Sequence, residues 1–521
     1  MQILFIMEET QMKKFQTKLV ASVLTVLLLF SLITVPSFAE TAFVFSDWPS
    51  FRGSTDNIAV TSTKSARTAD EAELIWSLAL KDPLDWSINI SDPITAENNI
   101  YIAVGNELLT IESDGGIAAR TELAGFIDYT CRPVYEDGLI IVPISGGRLQ
   151  ALTADSMQTQ WTTEALPAYE QDGLTYEHQT LTALTAQNGY IYYATACADY
   201  VTSYYGVVRC VQASTGDIIW SYENESAGYY WSGAVCYGGT VIIAGDDGIL
   251  RSLDAAGGTE LYQAELGAQV RSAAVLSGNQ VFVTSADGKL HKITMRDDGS
   301  FENIENVQFA ASSTSTPAVY NGKAVAGGHQ GAENGYKGIL AIIDTQTMTV
   351  TGKAELPAEV KSAPLISTGH SGEAYAYFTS NTEPGGIYAL KLESSEAQAI
   401  FTPEGADANY CVASILADES GTLYYTNDSG KLFAVAYHET PVTSEPADPS
   451  SYPSSLETSS DTGSNVESRI TAEAGVSQPG GIGAKSQNPK TSDSSVLFII
   501  IILLSSSLFA AVMLRPKKKA H

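Results

Sequence analysis

A short run of strands and turns recurs eight times along the chain. The clearest copy, residues 269–294, reads as three short strands joined by a turn at residues 277–279 and a hairpin at Asp287 and Gly288. Asp-Gly between alternating apolar runs is a strong hairpin signal, because both central residues of the turn need positive φ. The copies follow one another at intervals of about 40 to 60 residues, which is the spacing of propellers and other repeat arrays.

Each copy contains a strand of small residues, a turn, a second strand, and a turn that ends in Gly-x-Leu or a close variant. These last turns lie at residues 106–108, 147–149, 206–208, 248–250, 288–290, 338–340, 386–388 and 430–432. A lone strand, residues 73–78, precedes the first copy, whereas the last copy, residues 409–437, holds only three strands. The pattern predicts an all-β fold, an eight-bladed β-propeller of four-stranded antiparallel blades, in which the N-terminal strand completes the last blade.

The segments on either side of the repeats have different compositions. Residues 1–39 have the pattern of a signal peptide, with Lys13, Lys14 and Lys18 before an apolar run and small residues ending at Ala39. An uncleaved membrane anchor is the alternative. The propeller is assigned to residues 40–438. Residues 439–487 are rich in Ser, Thr, Pro and Glu, so they cannot bury a core and are expected to form a disordered stalk.

The last segment, residues 488–521, has three parts. A short motif is followed by an apolar run at residues 496–514 and a basic end at residues 515–519; the motif is Asn488, Pro489, Lys490, Thr491 and Ser492. The apolar run is long enough for one transmembrane helix, and the basic end is expected to stay in the cytoplasm. The layout resembles the cell-wall sorting signal of Gram-positive bacteria, where sortase cuts after the Thr of Leu-Pro-x-Thr-Gly and joins it to peptidoglycan. Asn stands here for Leu and Ser for Gly, and an ordinary membrane anchor is the alternative.

Two further patterns resemble the PQQ-like propeller family. One is Asp-Trp-Pro-Ser-Phe-Arg-Gly at residues 47–53, and the other is the blade end at residues 213–220, which finishes in Thr-Gly-x-x-x-Trp. Degraded copies of the blade end occur at residues 152–161 and 253–262. The resemblance covers about residues 46–438 and implies that Trp residues dock between neighbouring blades. The superfamily contains both quinoprotein dehydrogenases and non-catalytic propellers, so it does not fix the function.

Charge and cysteine content exclude several classes of site. The formal net charge of −30 repels phosphate backbones, so no nucleic acid is expected as a partner. No Cys-x-x-Cys pair occurs among the five cysteines, so no metal site is expected. The adjacent cysteine pair of methanol-oxidising quinoproteins is absent, and no calcium ligands can be assigned. Cys197 and Cys210 flank a long hairpin and are expected either to form a disulfide or to be two buried thiols.

The candidate binding site is a rim at one end of the ring. Hairpins between the second and third strands share a face with the connections between blades, and this face is usually the binding face. The rim candidates are Trp86, Tyr129, His178, Tyr204, Tyr230, Trp231, Arg271, His329, Lys361 and Tyr410. The basic groups favour an anionic or carbohydrate-like ligand, and the aromatic faces suit glycans and peptides alike. The alternative is that these aromatic residues only pack loops.

Taken together, these features predict a surface-anchored extracellular propeller that is not an enzyme and carries no cofactor. Its expected partners are an extracellular glycan, peptide or protein, with sortase and peptidoglycan acting on the tail and the membrane holding residues 496–514. The predicted location is the wall or membrane of a Gram-positive bacterium. One alternative is a PQQ-dependent oxidoreductase that uses PQQ with calcium. A second is a scaffold similar to an assembly factor.

Overall fold

The computed structural model describes residues 48–199 and 201–439 as eight antiparallel sheets arranged as an eight-bladed propeller, which confirms the predicted fold. The predicted signal peptide, the stalk beyond Glu439, the sorting motif and the helix at residues 496–514 lie outside the described residues. Within residues 48–199 and 201–439, no helix has the length and apolar character needed to cross a membrane.

The first four blades carry two additions, a two-stranded hairpin and an extra strand in blade 3. Blade 1 contains β3 (Ile94–Ala96), β4 (Asn99–Val104), β5 (Glu107–Ile111) and β6 (Ile117–Glu122). Blade 2 contains β7 (Val134–Glu136), β8 (Leu139–Ile144), β9 (Arg148–Thr153) and β10 (Thr159–Thr162), and is followed by the hairpin β11 (Tyr169–Gln171) and β12 (Leu174–Tyr176). Blade 3 contains β13 (Thr185–Gln187), β14 (Tyr190–Ala194), β15 (Cys197–Ala198), β16 (Ser203–Gln212) and β17 (Ile218–Asn224). Blade 4 contains β18 (Val235–Tyr237), β19 (Thr240–Ala244), β20 (Ile249–Asp254) and β21 (Glu260–Glu265).

The last four blades are more regular. Blade 5 contains β22 (Val275–Ser277), β23 (Gln280–Thr284), β24 (Lys289–Met295) and β25 (Phe301–Gln308). Blade 6 contains β26 (Ala318–Tyr320), β27 (Lys323–His329), β28 (Gly338–Asp344) and β29 (Thr349–Leu356). Blade 7 contains β30 (Leu365–His370), β31 (Glu373–Thr379), β32 (Ile387–Lys391) and β33 (Gln398–Phe401), with β1 (Val60–Thr61) beside β30. Blade 8 contains β34 (Leu416–Ala417), β35 (Leu423–Thr426), β36 (Lys431–Tyr437) and β2 (Ala72–Ala79). Short 3-10 helices occur at Ala69–Glu71, Ala332–Asn334 and Gly405–Asp407.

The ring closes as predicted, through the N-terminal strand. β2 pairs antiparallel with β36, so that Leu74 lies opposite Val435 and Leu78 lies opposite Leu432. This pairing gives the last blade its fourth strand and covers the backbone edge that β36 would otherwise expose. The first and last parts of the repeat region are therefore held in one sheet.

Two local elements lie at other positions than the sequence predicted. Gly206 lies inside β16 and not in a turn, because the hairpin of blade 3 turns earlier, where the N–H of Asp199 donates to the carbonyl of Thr202. The small residues 272–274 precede β22, where the blades approach the axis of the ring. Gly233 forms parallel bridges with both Ala183 and Ala273, and a Cβ atom at Gly233 would lie 2.8 Å from that of Ala273. Small side chains are thus required there by crowding rather than by strand pairing.

Residues 48–61, here called the axial segment, fill the centre of the ring. Phe51 is buried against Ala183, Ala273 and Ala363, which come from blades 3, 5 and 7. The backbone of the segment pairs with blade 1 through Trp48, and β1 continues beside β30 in blade 7. The sequence motif at residues 47–53 indicated a family resemblance, but nothing in it predicted this position.

Arg52 is the polar centre of the axial segment and is 1% exposed. Its guanidinium donates hydrogen bonds to the carbonyl oxygen of Pro364 at 2.6 Å and, at 3.4 Å each, to those of Pro317 and Asn57. Burial lowers the pKa of Arg52 to about 9, and the neighbouring charge of Arg132 lowers it further than Asp92 raises it. The side chain of Asn57 donates to the carbonyl of Ala274 at 2.9 Å, so the segment joins carbonyls of four blades.

Three tryptophans dock between neighbouring blades, as the family resemblance implied. The indole Nε1 of Trp161 donates to the carbonyl of Ala213 and that of Trp220 to the carbonyl of Ala255, both at 2.9 Å. Trp76 makes the same contact with Ser113, at the junction of blades 8 and 1. Each ring covers a glycine in the outer turn of the next blade; these glycines are Gly115, Gly216 and Gly258.

Candidate functional site

One face of the ring, here called the loop face, carries the connections between blades and the hairpins between second and third strands. Backbone hydrogen bonds join these loops across neighbouring blades, for example from Ile127 to Gly105, from Asp246 to Gly228 and from Val360 to Gly328. Eight of the ten rim candidates lie in loops of this face, and the other two, Tyr204 and His329, lie at the ends of β16 and β27 next to its hairpins. They do not form one continuous surface, because they separate into several clusters.

The cluster nearest the axis contains four of the predicted residues. The ring of Trp231 lies 6.3 Å from that of Tyr129 and 5.2 Å from that of Tyr230. Arg271 stacks on Tyr230, with 4.5 Å between its Cζ atom and the ring centroid. Trp231 has a φ angle of 60°, which is rare for a bulky residue and is found most often where a structure imposes an orientation.

A second cluster surrounds the added hairpin of β11 and β12. Tyr169 stacks on Tyr205 at 4.9 Å, and Tyr176 contacts Tyr204 at 4.8 Å. His178 was predicted on the rim but is buried, with its Nδ1 atom 2.7 Å from the hydroxyl of Thr195. Burial lowers the pKa of His178 to about 4, so this residue is a neutral packing group. These aromatic residues hold the hairpin against blade 3, which agrees with the loop-packing alternative.

The other candidates lie apart from both clusters. Trp86 contacts the ammonium group of Lys81 at 5.7 Å, and His329 packs edge-on against Tyr336. Tyr410 is about half exposed and precedes the innermost strand of blade 8.

The cations of the rim are paired, which does not support the predicted anionic ligand. Arg132 lies 3.2 Å from Asp92, and Arg271 lies 2.7 Å from Asp246. Lys361 lies 3.5 Å from Glu359. Each pair is close to neutral as a unit, so these residues do not present a field of free positive charge. The sequence showed the cations but not the carboxylates that lie beside them.

Asp128 is a half-buried carboxylate of the loop face that has no such partner. Its Oδ2 atom accepts a hydrogen bond from the backbone N–H of Thr180 at 3.0 Å, and no Lys or Arg of the described residues lies within ion-pair distance of it. Desolvation raises the pKa of Asp128 to about 6; the Thr180 bond lowers it, and the nearby charge of Glu177 raises it. No sequence pattern marks this residue, because Asp-Tyr in a loop is a common pair.

Replacement of Asp128 with asparagine is expected to stabilise the protein at pH 7 by about 1 kcal/mol, a value reduced for partial exposure. The folded pKa lies above the ordinary value of 3.8, so the native state binds this proton more tightly than the unfolded state. The associated stability is complete below pH about 4 and is lost as the pH rises through about 6. Melting temperatures measured at pH 5 and pH 7 check this: the gain should be larger at pH 7, and an equal gain at both values would contradict the assignment.

The disulfide alternative for Cys197 and Cys210 is not realised in the structure, where both thiols are free and buried. Cys197 lies opposite Tyr205, whereas Cys210 lies opposite Tyr192, five residues further along β16. Five residues of strand span about 16 Å, which is far beyond the reach of a disulfide.

The quinoprotein alternative requires room for a planar cofactor at the axis of the ring. Phe51 and Arg52 occupy that position, and the cavity beside the axial segment, lined by Pro49, Asn57 and Leu184 among others, measures about 50 Å³. A ligand with the size of PQQ requires several hundred Å³. Residues 48–199 and 201–439 contain no group of three or more His, Cys, Asp or Glu side chains that could hold a metal ion. The residues at the axis therefore do not fit PQQ with calcium.

Known proteins resemble this chain in sequence and in fold. A family model described as outer membrane protein assembly factor BamB matches residues 64–195 and 205–439. BamB of Yersinia pestis is 22% identical over 340 residues, which cover 60% of this chain and 79% of that protein. Quinohemoprotein alcohol dehydrogenases of Pseudomonas putida and Comamonas testosteroni share the fold at 12% identity, with TM-scores of 0.55 and 0.56. The first likeness covers 77% of this chain and 82% of the other, and the second covers 75% and 80%. The family match extends over most of the chain, and the chain belongs to the family described by that model, outer membrane protein assembly factor BamB.

Proposed function

We propose that this protein is a non-catalytic scaffold that binds a partner polypeptide on its loop face, outside the cytoplasm. One observation carries the proposal. Among the residues that the structure describes, the large hydrophobic side chains that are exposed fall on the outer strands of the blades or on the loop face. Those on the loop face are Leu84, Trp86, Phe126, Tyr129, Leu174, Val201, Tyr336 and Tyr410. Exposed apolar and aromatic groups on one face of a protein are typical of protein-binding surfaces.

The family supports this role, because its described member is an assembly factor and thus acts on other proteins. The axial segment supports it as well, since the closed axis directs binding to the surface loops. Display of the propeller on a cell wall through residues 488–521, with sortase acting at Thr491, is part of the proposal and rests on the sequence pattern alone.

The proposal predicts that the protein binds peptides on an array and that loop-face variants lose this binding. Replacement of Trp86 and Tyr410 with alanine should weaken peptide binding by about tenfold or more, as for aromatic interface residues worth over 1 kcal/mol. Replacement of Leu261 with alanine, on the outer edge of blade 4, is the matched control because this side chain is equally exposed. Binding to a glycan array alone, or dye-linked alcohol oxidation after addition of PQQ and calcium, would refute the proposal.

A further inference from the structure

One cation of the loop face, the guanidinium of Arg271, is already bound by an aromatic ring and a carboxylate of the same protein. The guanidinium of Arg271 stacks on the ring of Tyr230 at 4.5 Å, and its Nε and Nη2 atoms donate to the carboxylate of Asp246 at 3.2 and 2.7 Å. An aromatic face and a carboxylate together form a favourable site for a guanidinium or ammonium group. Tyr230 and Arg271 precede the first strands of blades 4 and 5, and Asp246 lies in the hairpin between β19 and β20 of blade 4.

Aromatic rings and a carboxylate also occur together at the starts of blades 2 to 4. The rings of Tyr129 and Trp231 are tilted by 48° relative to each other with their centroids 6.3 Å apart, and Tyr129 is 46% exposed. Asp128 directly precedes Tyr129 in the chain, and its carboxylate accepts the N–H of Thr180 at the start of blade 3. Arg132 lies nearby, but it is bonded to Asp92 and to the carbonyl of Trp231, so its charge is already balanced.

We propose that Asp128, Tyr129 and Trp231 bind an arginine or lysine side chain of the partner polypeptide. This inference rests on the proposed function and adds the chemical class of the partner. A cation from outside would supply the carboxylate of Asp128 with the counter-charge that no described residue provides, and it would stack on the exposed ring of Tyr129, the next residue in the chain. Glu177 adds further negative charge, and the net charge of −30 attracts cationic segments over longer distances.

The stability cost of Asp128 supports a binding role over a packing role. An asparagine would keep the hydrogen bond from Thr180 without the burden of a half-buried charge, and it would make the fold more stable. Carboxylates whose pKa is raised by burial are common in binding sites. The strained backbone of Trp231 fits the same view, because it fixes the ring beside Tyr129.

The test uses the full chain with its tryptophans replaced by 5-fluorotryptophan and observed by fluorine NMR. The six tryptophans give separable signals, and that of Trp231 is assigned from Trp231→Phe. The probes are Nα-acetyl-arginine amide and its neutral isostere, Nα-acetyl-citrulline amide. We expect the arginine probe to shift the Trp231 signal with an affinity at least about tenfold higher than that of the citrulline probe.

Two variants and one control make the test specific. Asp128→Asn and Tyr129→Leu are each expected to weaken binding of the arginine probe about tenfold, while the other tryptophan signals show that the fold is intact. Asp172→Asn removes a carboxylate from the tip of the added hairpin and should leave binding unchanged. Equal binding of both probes, or unchanged binding in Asp128→Asn, would overturn the inference. Peptide binding that depends on Trp86 and Tyr410 but not on cationic residues would refute this inference alone and leave the proposed function standing.

Discussion

Replacement of Arg52 with alanine is expected to lower the free energy of unfolding by about 3 kcal/mol. The guanidinium donates to the carbonyls of Asn57, Pro317 and Pro364, and the side chain is fully buried. Alanine would leave buried acceptors without donors and open a cavity at the axis. The penalty for burying the cation would disappear, which offsets part of the loss. Losing several charge-assisted hydrogen bonds together with the packing around the side chain outweighs that gain.

Urea denaturation measures this effect, with Arg52→Met as the matched control. Methionine fills much of the same volume but donates no hydrogen bonds, so it should be destabilising by a smaller amount than alanine. Limited proteolysis provides a second measurement, because a loosened axial segment at residues 48–61 should be cut earlier in Arg52→Ala. If Arg52→Ala unfolds at the same urea concentration as the parent protein, then the axial segment does not stabilise the ring.

The blades could be predicted from the sequence because their signals are local. Turns such as Asp287-Gly288 specify a hairpin within a few residues, and their repetition specifies the ring. Closure by β2 could be predicted by counting strands, since the last blade lacked one. The docking of Trp161 and Trp220 followed from the family pattern of the blade end. The hairpins and the docked tryptophans depend on residues within one or two repeats of each other, whereas the closure joins opposite ends of the repeat region and follows from the strand count alone.

The axial segment could not be predicted because its partners are distant and are mostly backbone atoms. Arg52 bonds to Pro364, which is 312 positions away, and Asn57 bonds to Ala274, which is 217 positions away. A carbonyl acceptor is present at every residue, so the sequence contains no pattern that identifies these pairs. Residues 48–61 also show no regular alternation that would mark them as structured.

The rim candidates share one face of the ring, where they form several clusters rather than one surface. Loop position follows from topology, and it placed Tyr129, Trp231 and Arg271 on the same side of the ring. The pairing of Arg271 with Asp246 and the burial of His178 depend on side-chain directions that topology does not determine. For the same reason, the sequence could not show that the carboxylate of Asp128 has no ion-pair partner among the described residues.

Replacement of Trp220 with alanine is expected to lower the free energy of unfolding by about 3 to 5 kcal/mol, the range for a buried aromatic residue. The side chain is 7% exposed and donates to the carbonyl of Ala255 at 2.9 Å. It spans the junction of blades 3 and 4, so its loss removes packing and a hydrogen bond from one interface of the ring. Chemical denaturation followed by circular dichroism measures the change.

Two further variants divide this contribution into its parts. Trp220→Phe keeps most of the ring but loses the donor, so it should cost less than alanine, by at least about 1 kcal/mol for the hydrogen bond. Gly258→Ala disturbs the contact from the opposite side, because a Cβ atom there would lie 2.5 Å from the Trp220 ring at a φ of +72°. If Gly258→Ala and Trp220→Ala both act on this one contact, the double variant should lose less stability than the sum of the two single variants. Fully additive losses would mean that the indole and the glycine stabilise the ring independently, and that docking between blades does not depend on this contact.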